Sequence, residues 1–344
     1  MIAVLAATLA LKPSLTIIPG CTGVRGLSGD GSTLLVETWP DGAPAVWSQG
    51  RLQRIAPLRG YAVADAGALS DDGKVAGGYC ANGPRAAADS VAFTWTAPGG
   101  TRRLEPLASG WSSLREVTAI SRDGSIVVGE GSPGAGRLEA FRWTRAGGAQ
   151  HLGFVDSRFS YSGATCVSAD GSTIGGWSAV GRLMPTQMGG SWMMRKAVAW
   201  DSAGHMRVLS TADSGRDEVR DISSDGRLAL VADKTRDFLW PTLEPLVDRR
   251  NTQEFTGWRI LSPAPVVNGV ADPGLGSLWS PKSGLVTSLQ VMNYLRGLHL
   301  GSLGQDPSID GYSRDLSVVV GRSMGPVWVI TLPKGTLQRK FGIG

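Results

Sequence analysis

The chain has 344 residues, 42% hydrophobic and 18% charged, with 48 glycines and a formal charge of +5. That apolar content excludes a disordered chain, and the short, scattered basic pairs (Arg102-Arg103, Arg195-Lys196, Arg249-Arg250, Arg339-Lys340) lack the concentrated footprint of a nucleic-acid binder. Many glycines and few charges suit numerous short strands joined by tight turns.

Residues 1–12 contain the apolar run IAVLAATLAL, followed by Lys12. The run is similar to the apolar region of an export signal, but no basic residues precede it and no small-residue cleavage site follows. It is too short to span a bilayer, and no later stretch qualifies. We set it apart as a truncated signal-like segment.

From residue 13 one pattern repeats. Its clearest copy is Thr118–Gly129, TAISRDGSIVVG, followed by Ala140-Phe141-Arg142-Trp143-Thr144. The turn S-x-D-G recurs as Ser28–Gly31, Ser70–Gly73, Ser121–Gly124, Ser168–Gly171 and Ser223–Gly226. It decays to Ser313-Arg314-Asp315-Leu316 and is faint at Asn268–Asp272. Tryptophan marks the same period at Trp47, Trp95, Trp143, Trp200, Trp240, Trp279 and Trp328. Seven units averaging about 47 residues predict an all-β chain folded as a single β-propeller of seven four-stranded blades over 13–333. In the third unit the strands are expected at 116–121 (a), 125–129 (b), 139–144 (c) and 148–154 (d).

Each landmark has a physical reason. Asp-Gly between apolar runs favours a hairpin because glycine takes positive φ freely, and the serine and aspartate side chains bond nearby N–H groups. A tryptophan in strand c offers roughly 150–250 Å² of largely apolar area to bury between neighbouring blades.

The chain starts out of phase with this order. Pro13–Gly20 is similar to the outer-strand segments Arg103–Leu107 and Gln150–Phe154, and the last unit stops after strand c at Val327–Leu332. Residues 14–18 are therefore expected to complete the last blade as its outer strand and close the ring. Residues 334–344 are left as a C-terminal tail.

Three insertions break the regularity and are expected to project from the ring. Residues 177–196 lengthen the b–c loop of unit four and carry Trp177, Met184, Met188, Trp192, Met193 and Met194, a set suited to adaptable contacts with a partner. Residues 241–258 are charged, and 287–299 have the pattern of a short amphipathic helix capped by Thr287 or Ser288.

Candidate chemistry lies on strand a, which lines the channel of a propeller. Five and three residues before each turn serine the units carry variable, often polar residues, while the positions four and one before it are mostly apolar. This alternation predicts that Arg25, Asp65, Glu116, Glu218, Arg220 and Asp310 face the channel and converge as a binding site, or compensate one another as ion pairs. The turn aspartates read as scaffold, since each sits in its own hairpin a blade width from the next. No catalytic residue is singled out. His151, His205 and His299 stand at unlike repeat positions, and no hydrolase elbow, zinc-protease, phosphate-loop or dinucleotide motif is present. Cys21, Cys80 and Cys166 are odd in number and lack a C-x-x-C pair, so they read as buried thiols with no metal site. No cofactor is implied.

The segments SRDGSIVVGEG, AFRWTRAGGAQHLG, VSADGSTIGGWS and YLRGLHLGSLG resemble the HAF repeat family of bacterial extracytoplasmic proteins. The resemblance spans about 13–333; Leu316 in place of the turn glycine and the poor turn near 268–272 depart from it. The short S-x-D-G turn is also similar to that of TolB-type propellers. The HAF resemblance implies an exported repeat protein (secreted, periplasmic or cell-surface) without an assigned activity. The expected function is noncatalytic binding of a protein or glycan partner by a monomer. The alternative is a glycan-active hydrolase or lyase using Glu116 and Glu218.

Overall fold

The computed structural model describes residues 12–83, 89–107, 110–134, 136–185, 191–210, 215, 217–232, 236–240, 244–248, 266–267, 270–271, 278–280 and 282–343. Met188 and most of 241–258 lie outside them.

The described chain is all-β apart from two short helices. It opens with β1 (Ser14–Ile18) and runs through β2 (Cys21–Leu27), β3 (Thr33–Thr38), β4 (Pro44–Ser48) and β5 (Arg51–Arg54). The second unit is β6 (Val63–Leu69), β7 (Ala76–Ala81), β8 (Val91–Thr96) and β9 (Gly100–Arg103); the third is β10 (Ser113–Ile120), β11 (Ile126–Gly134), β12 (Arg137–Thr144) and β13 (Gly148–His151). The fourth is β14 (Phe159–Val167), β15 (Thr173–Pro185), β16 (Ser191–Asp201) and β17 (Met206–Val208), and the fifth β18 (Glu218–Ile222), β19 (Ala229–Ala232), β20 (Arg236–Trp240) and β21 (Glu244–Asp248). Then come β22 (Val266–Val267), β23 (Val270–Ala271), β24 (Leu278–Ser280), β25 (Gly284–Val286), α1 (Ser288–Arg296), β26 (Ser308–Tyr312), β27 (Val318–Arg322), β28 (Val327–Thr331) and α2 (Thr336–Phe341).

These strands pair as antiparallel meanders in five four-stranded sheets and one eight-stranded sheet. The larger sheet is the third and fourth units, joined by one parallel bridge between Leu138 and Tyr161. β1 pairs antiparallel with β28, Ser14 opposite Thr331 and Ile18 opposite Val327, so the last meander has the order β1-β28-β27-β26.

The turn motif works as its residues predict. Ser121 Oγ donates to Asp123 Oδ1 (3.1 Å) and accepts from the Ile126 N–H (3.0 Å), while the Ser125 N–H donates to Asp123 Oδ1 (3.0 Å). Gly124 takes φ +74°, where a side chain is costly. In the decayed copy Leu316 adopts φ +55° instead. It is buried in an apolar cluster with Leu337 and Ile343, and Gln338 Nε2 of α2 donates to the Asp315 carbonyl (2.8 Å).

The core sits between sheets. One cluster joins Leu34 and Val36 to Val318, Val320 and Val329; others join Leu35 to Phe93, Ala68 to Phe141, Val128 to Trp200 and Ala197 to Val231. The tryptophans of strand c serve these junctions. Trp200 is 1% exposed and its Nε1–H donates to the Leu152 carbonyl of the preceding unit (2.7 Å). Trp328 is a misplaced landmark. Gly321 faces Trp328 across the last hairpin as Gly129 faces Phe141, so Ile330 occupies the tryptophan position.

One expectation about projecting parts is corrected, and the C-terminal residues are packed as well. α1 begins with the capping box of Thr287 and Gln290, but it buries Val291, Met292 and Leu295 against the last sheet and α2. The described C-terminal residues, 334–343, pack on the sheet: Leu337 is fully buried and Ile343 is 4% exposed. In both cases apolar side chains at helical spacing find a sheet edge to cover.

Candidate functional site

Six inner strands, β2, β6, β10, β14, β18 and β26, carry the same irregularity. The ladder between strands a and b skips one residue between Val24 and Gly26, Ala66 and Ala68, Val117 and Ala119, Ala164 and Cys166, Val219 and Asp221, and Ile309 and Gly311. The skipped residues are Arg25, Gly67, Thr118, Thr165, Arg220 and Asp310, each three before its turn serine. A bulge of this kind re-aims the residue it leaves unpaired.

The bulge separates residues that simple alternation places on one face. Arg25, Thr118, Thr165 and Arg220 line a central cavity of about 110 Å³ bounded by five inner strands. The residues two positions earlier stay in the ladder, with Asp65 opposite Tyr79, Glu116 opposite Glu130 and Glu218 opposite Ala232. Of the six predicted residues, then, Arg25 and Arg220 share the cavity. Asp65, Glu116 and Glu218 lie further from the turns, and Asp310 is buried where the last sheet meets the first. The expected convergence of all six is corrected, because a period-two reading cannot see a skipped residue.

Charges along this channel are matched within the protein. Arg25 pairs with Glu37, Nε to Oε1 at 2.7 Å. Arg195 Nη1 lies 3.0 Å from Glu218 Oε2 and stacks 4.9 Å above Trp177, while Arg220 Nε is 3.5 Å from Glu218 Oε1. Tyr79 Oη donates to Asp65 Oδ2 at 3.2 Å.

The turn end of the channel holds residues that the repeat pattern leaves unmarked, at the variable second position of S-x-D-G. Backbone bonds link one turn to the next. Arg314 N donates to Gly29 O (2.8 Å), Gly29 N to Asp71 O (2.8 Å), Asp72 N to Arg122 O (2.9 Å), Arg122 N to Ala169 O (3.0 Å) and Ala169 N to Ser224 O (3.1 Å). Above this chain Asp71, with a side chain 12% exposed, pairs with Arg314 and with Arg122 Nε at 3.1 Å. The signal lay in the motif itself: serine, aspartate and glycine are spent on the turn, so the remaining position is free to vary.

The unit-four insertion is a continued ladder, with Leu183 opposite Met193, Met184 opposite Trp192 and Pro185 opposite Ser191. In the described residues 177–185 and 191–196, the expected loop is therefore a β-ribbon within β15 and β16. Trp177 is instead buried, at 8% exposure under Arg195, and Met194 is half-buried. The other b–c connections share this end of the sheets, opposite the S-x-D-G turns. Two of them expose apolar side chains, Trp39 at 70% and Met324 at 76%.

One histidine is better supported than its repeat position suggests. His151 Nδ1 lies 3.1 Å from Glu139 Oε2, and its ring stacks on Trp111 at 4.0 Å. Glu139 also accepts from the Gly153 N–H (2.9 Å). Among the described residues no cluster of His, Cys, Asp and Glu is arranged to hold a metal, and no helix is long and apolar enough to cross a membrane.

No family model matches the chain, and no curated protein is similar to it. Solved structures do resemble it. The β-propeller domain of the Trilobed protease from Pyrococcus furiosus aligns at TM-score 0.50 and 11% identity, over 90% of this chain and 95% of that one. The chain is a β-propeller. Two weaker likenesses are the β-propeller domain of Myceliophteria_thermophila Cps50 (Swd1) and TolB from Acinetobacter baumannii. The first has TM-score 0.49 and 12% identity, covering 93% of this chain and 98% of that one. The second has TM-score 0.38 and 18% identity, and the match spans 63% of this chain but only 50% of that TolB. At such identities the likeness concerns the fold alone.

Proposed function

We propose that the chain is an exported, noncatalytic propeller of seven four-stranded blades that binds a protein or glycan partner as a monomer. The pairing of β1 with β28 supports a ring closed by the N-terminal strand. β21, read as the outer strand of blade five, and β22–β25, read as blade six, bring the count to seven. The HAF-type repeat pattern supports export to an extracytoplasmic location.

One observation carries the noncatalytic reading: three of the channel carboxylates, Glu218 among them, are engaged by their own neighbours. A catalytic pair needs carboxyl groups free to face substrate, about 5–9.5 Å apart across a glycosidic bond. Glu218 is held by Arg195, Glu37 by Arg25 and Asp65 by Tyr79. Binding is better supported at the end opposite the turns, where Trp39 and Met324 present exposed apolar side chains and the unit-four ribbon extends the sheet.

The test is a glycan array together with pulldown against surface proteins, using the intact chain and one with the ribbon shortened. Binding that vanishes with the ribbon supports the reading. Glu116→Gln and Glu218→Gln then separate the two classes. A binding module changes affinity at most, whereas an enzyme keeps affinity and loses turnover of a glycan substrate.

A further inference from the structure

The bulged residues of the third and fourth units tie neighbouring sheets together. Thr118 Oγ1 donates to the Ala164 carbonyl on the next inner strand (2.7 Å), with the Val128 carbonyl of its own sheet at 3.2 Å. Thr165 repeats the arrangement with the carbonyls of Val219 and Gly175. Each hydroxyl thus spans two sheets through a proton it donates.

In the last sheet the same position is Asp310, three residues before Ser313. Counted from the turn serines, the equivalent acceptors are the carbonyls of Val24 on β2 and Val320 on β27. Both valines are packed into the apolar cluster joining last and first sheets, at 1% and 0% exposure. The Asp310 side chain is 7% exposed; Oδ1 lies 3.6 Å from Arg322 Nε, and Oδ2 is buried without a hydrogen-bond partner. At this position a carboxylate has only acceptors to offer, whereas a protonated carboxyl has one O–H to give a carbonyl.

We propose that Asp310 is a proton-operated fastener between the last and first sheets, donating to strand carbonyls when protonated, as Thr118 and Thr165 do, and loosening the seam when ionised. Burial raises the carboxyl to about 6 against the pull of Arg322, which puts the change in the mildly acidic range. The charged groups on the elements packed against β26 are Arg322 on β27, Arg25 on β2 with its partner Glu37 on β3, and Arg296 on α1. Of these, Arg322 favours the ionised form, and burial is the larger, opposing force. The folded-state value lies above the unfolded one near 3.8. Seam stability from this group is therefore fully present below about 3.8 and is lost as pH rises through about 6.

The experiment is amide hydrogen exchange on the full chain at pH 5 and 7.5, corrected for the intrinsic pH dependence of exchange. The readout is the protection of residues 14–18 and 21–27 relative to residues 113–120. The native chain should lose relative protection at the seam by about tenfold, with a ceiling on the order of 100-fold set by the shift. Asp310→Thr, which restores the hydroxyl, and the isosteric Asp310→Asn should hold that ratio constant between the two pH values. A flat ratio in the native chain, or an undiminished fall in either variant, overturns the proposal.

Discussion

Asp71 and Arg314 belong to turns two units apart, yet their side chains pair directly across the intervening Gly29. The first unit has no side chain at this position, and a Cβ built on Gly29 would overlap Asp71 Oδ1. Its glycine is the gap through which the second and last units meet. Gly29→Val should lower stability by about 1–3 kcal/mol through this overlap. Asp71→Asn should cost a similar ~1–3 kcal/mol, an ion-pair loss discounted for the partial exposure of both arginines. Urea midpoints measure both, and an unchanged midpoint for Gly29→Val would mean that the bridge bears no load.

The N-terminal strand is the next test. Ile18 is 2% exposed in the cluster between the last and first sheets. Ile18→Ala should cost about 2–4 kcal/mol, and deleting residues 1–20 should lower the melting temperature markedly. A melt unaltered by the deletion would remove β1 from any role in holding the sheets together.

Tryptophan truncation should separate positions that look alike in the repeat. Trp200 is 1% exposed and Trp143 only partly buried. Trp200→Ala should therefore cost about 3–5 kcal/mol, and Trp143→Ala less. Calorimetry on the two variants decides; equal costs would mean that burial at the junction is not the source of their effect.

Leu316 poses a contest between strain and burial. Leu316→Gly relieves a left-handed backbone worth about 1–2 kcal/mol. It also empties a core site worth about 2–5 kcal/mol. The net should be a loss of about 1–3 kcal/mol, because burial outweighs strain here. A stabilised variant would reverse that ranking.

Acid should unfold the chain through its turns. Asp123 and Asp225 lie below the usual carboxylate range because turn serines and backbone N–H groups hydrogen-bond their charged forms. At Asp30, Asp72, Asp170 and Asp315 burial raises the carboxyl, but the same kinds of hydrogen bond outweigh it. With folded values below the unfolded one near 3.9, this stability is present above about pH 4 and lost as pH falls further. Urea midpoints between pH 5 and 2.5 should show that fall, less steeply for Asp123→Asn combined with Asp225→Asn. A double variant as steep as the native chain would place the acid sensitivity elsewhere.

Much of the architecture was legible in the residues, because it rests on local rules. Ser121, Asp123 and Gly124 make a turn by hydrogen bonds and a positive φ confined to a few residues. The Thr287–Gln290 capping box starts α1 in the same local way. The alternation along strand a likewise marked an inner strand. Tertiary structure alone decided what those elements meet. One skipped residue in each of six inner strands sends Arg25 and Arg220 into the cavity and leaves Glu116 and Glu218 in the ladder, and nothing in a period-two pattern records a skip. Packing also buried Trp177, expected in a partner loop, beneath Arg195, and drew α2 over Leu316. Above all it brought Arg314 to Asp71, since ion pairs between distant segments depend on where whole sheets come to rest.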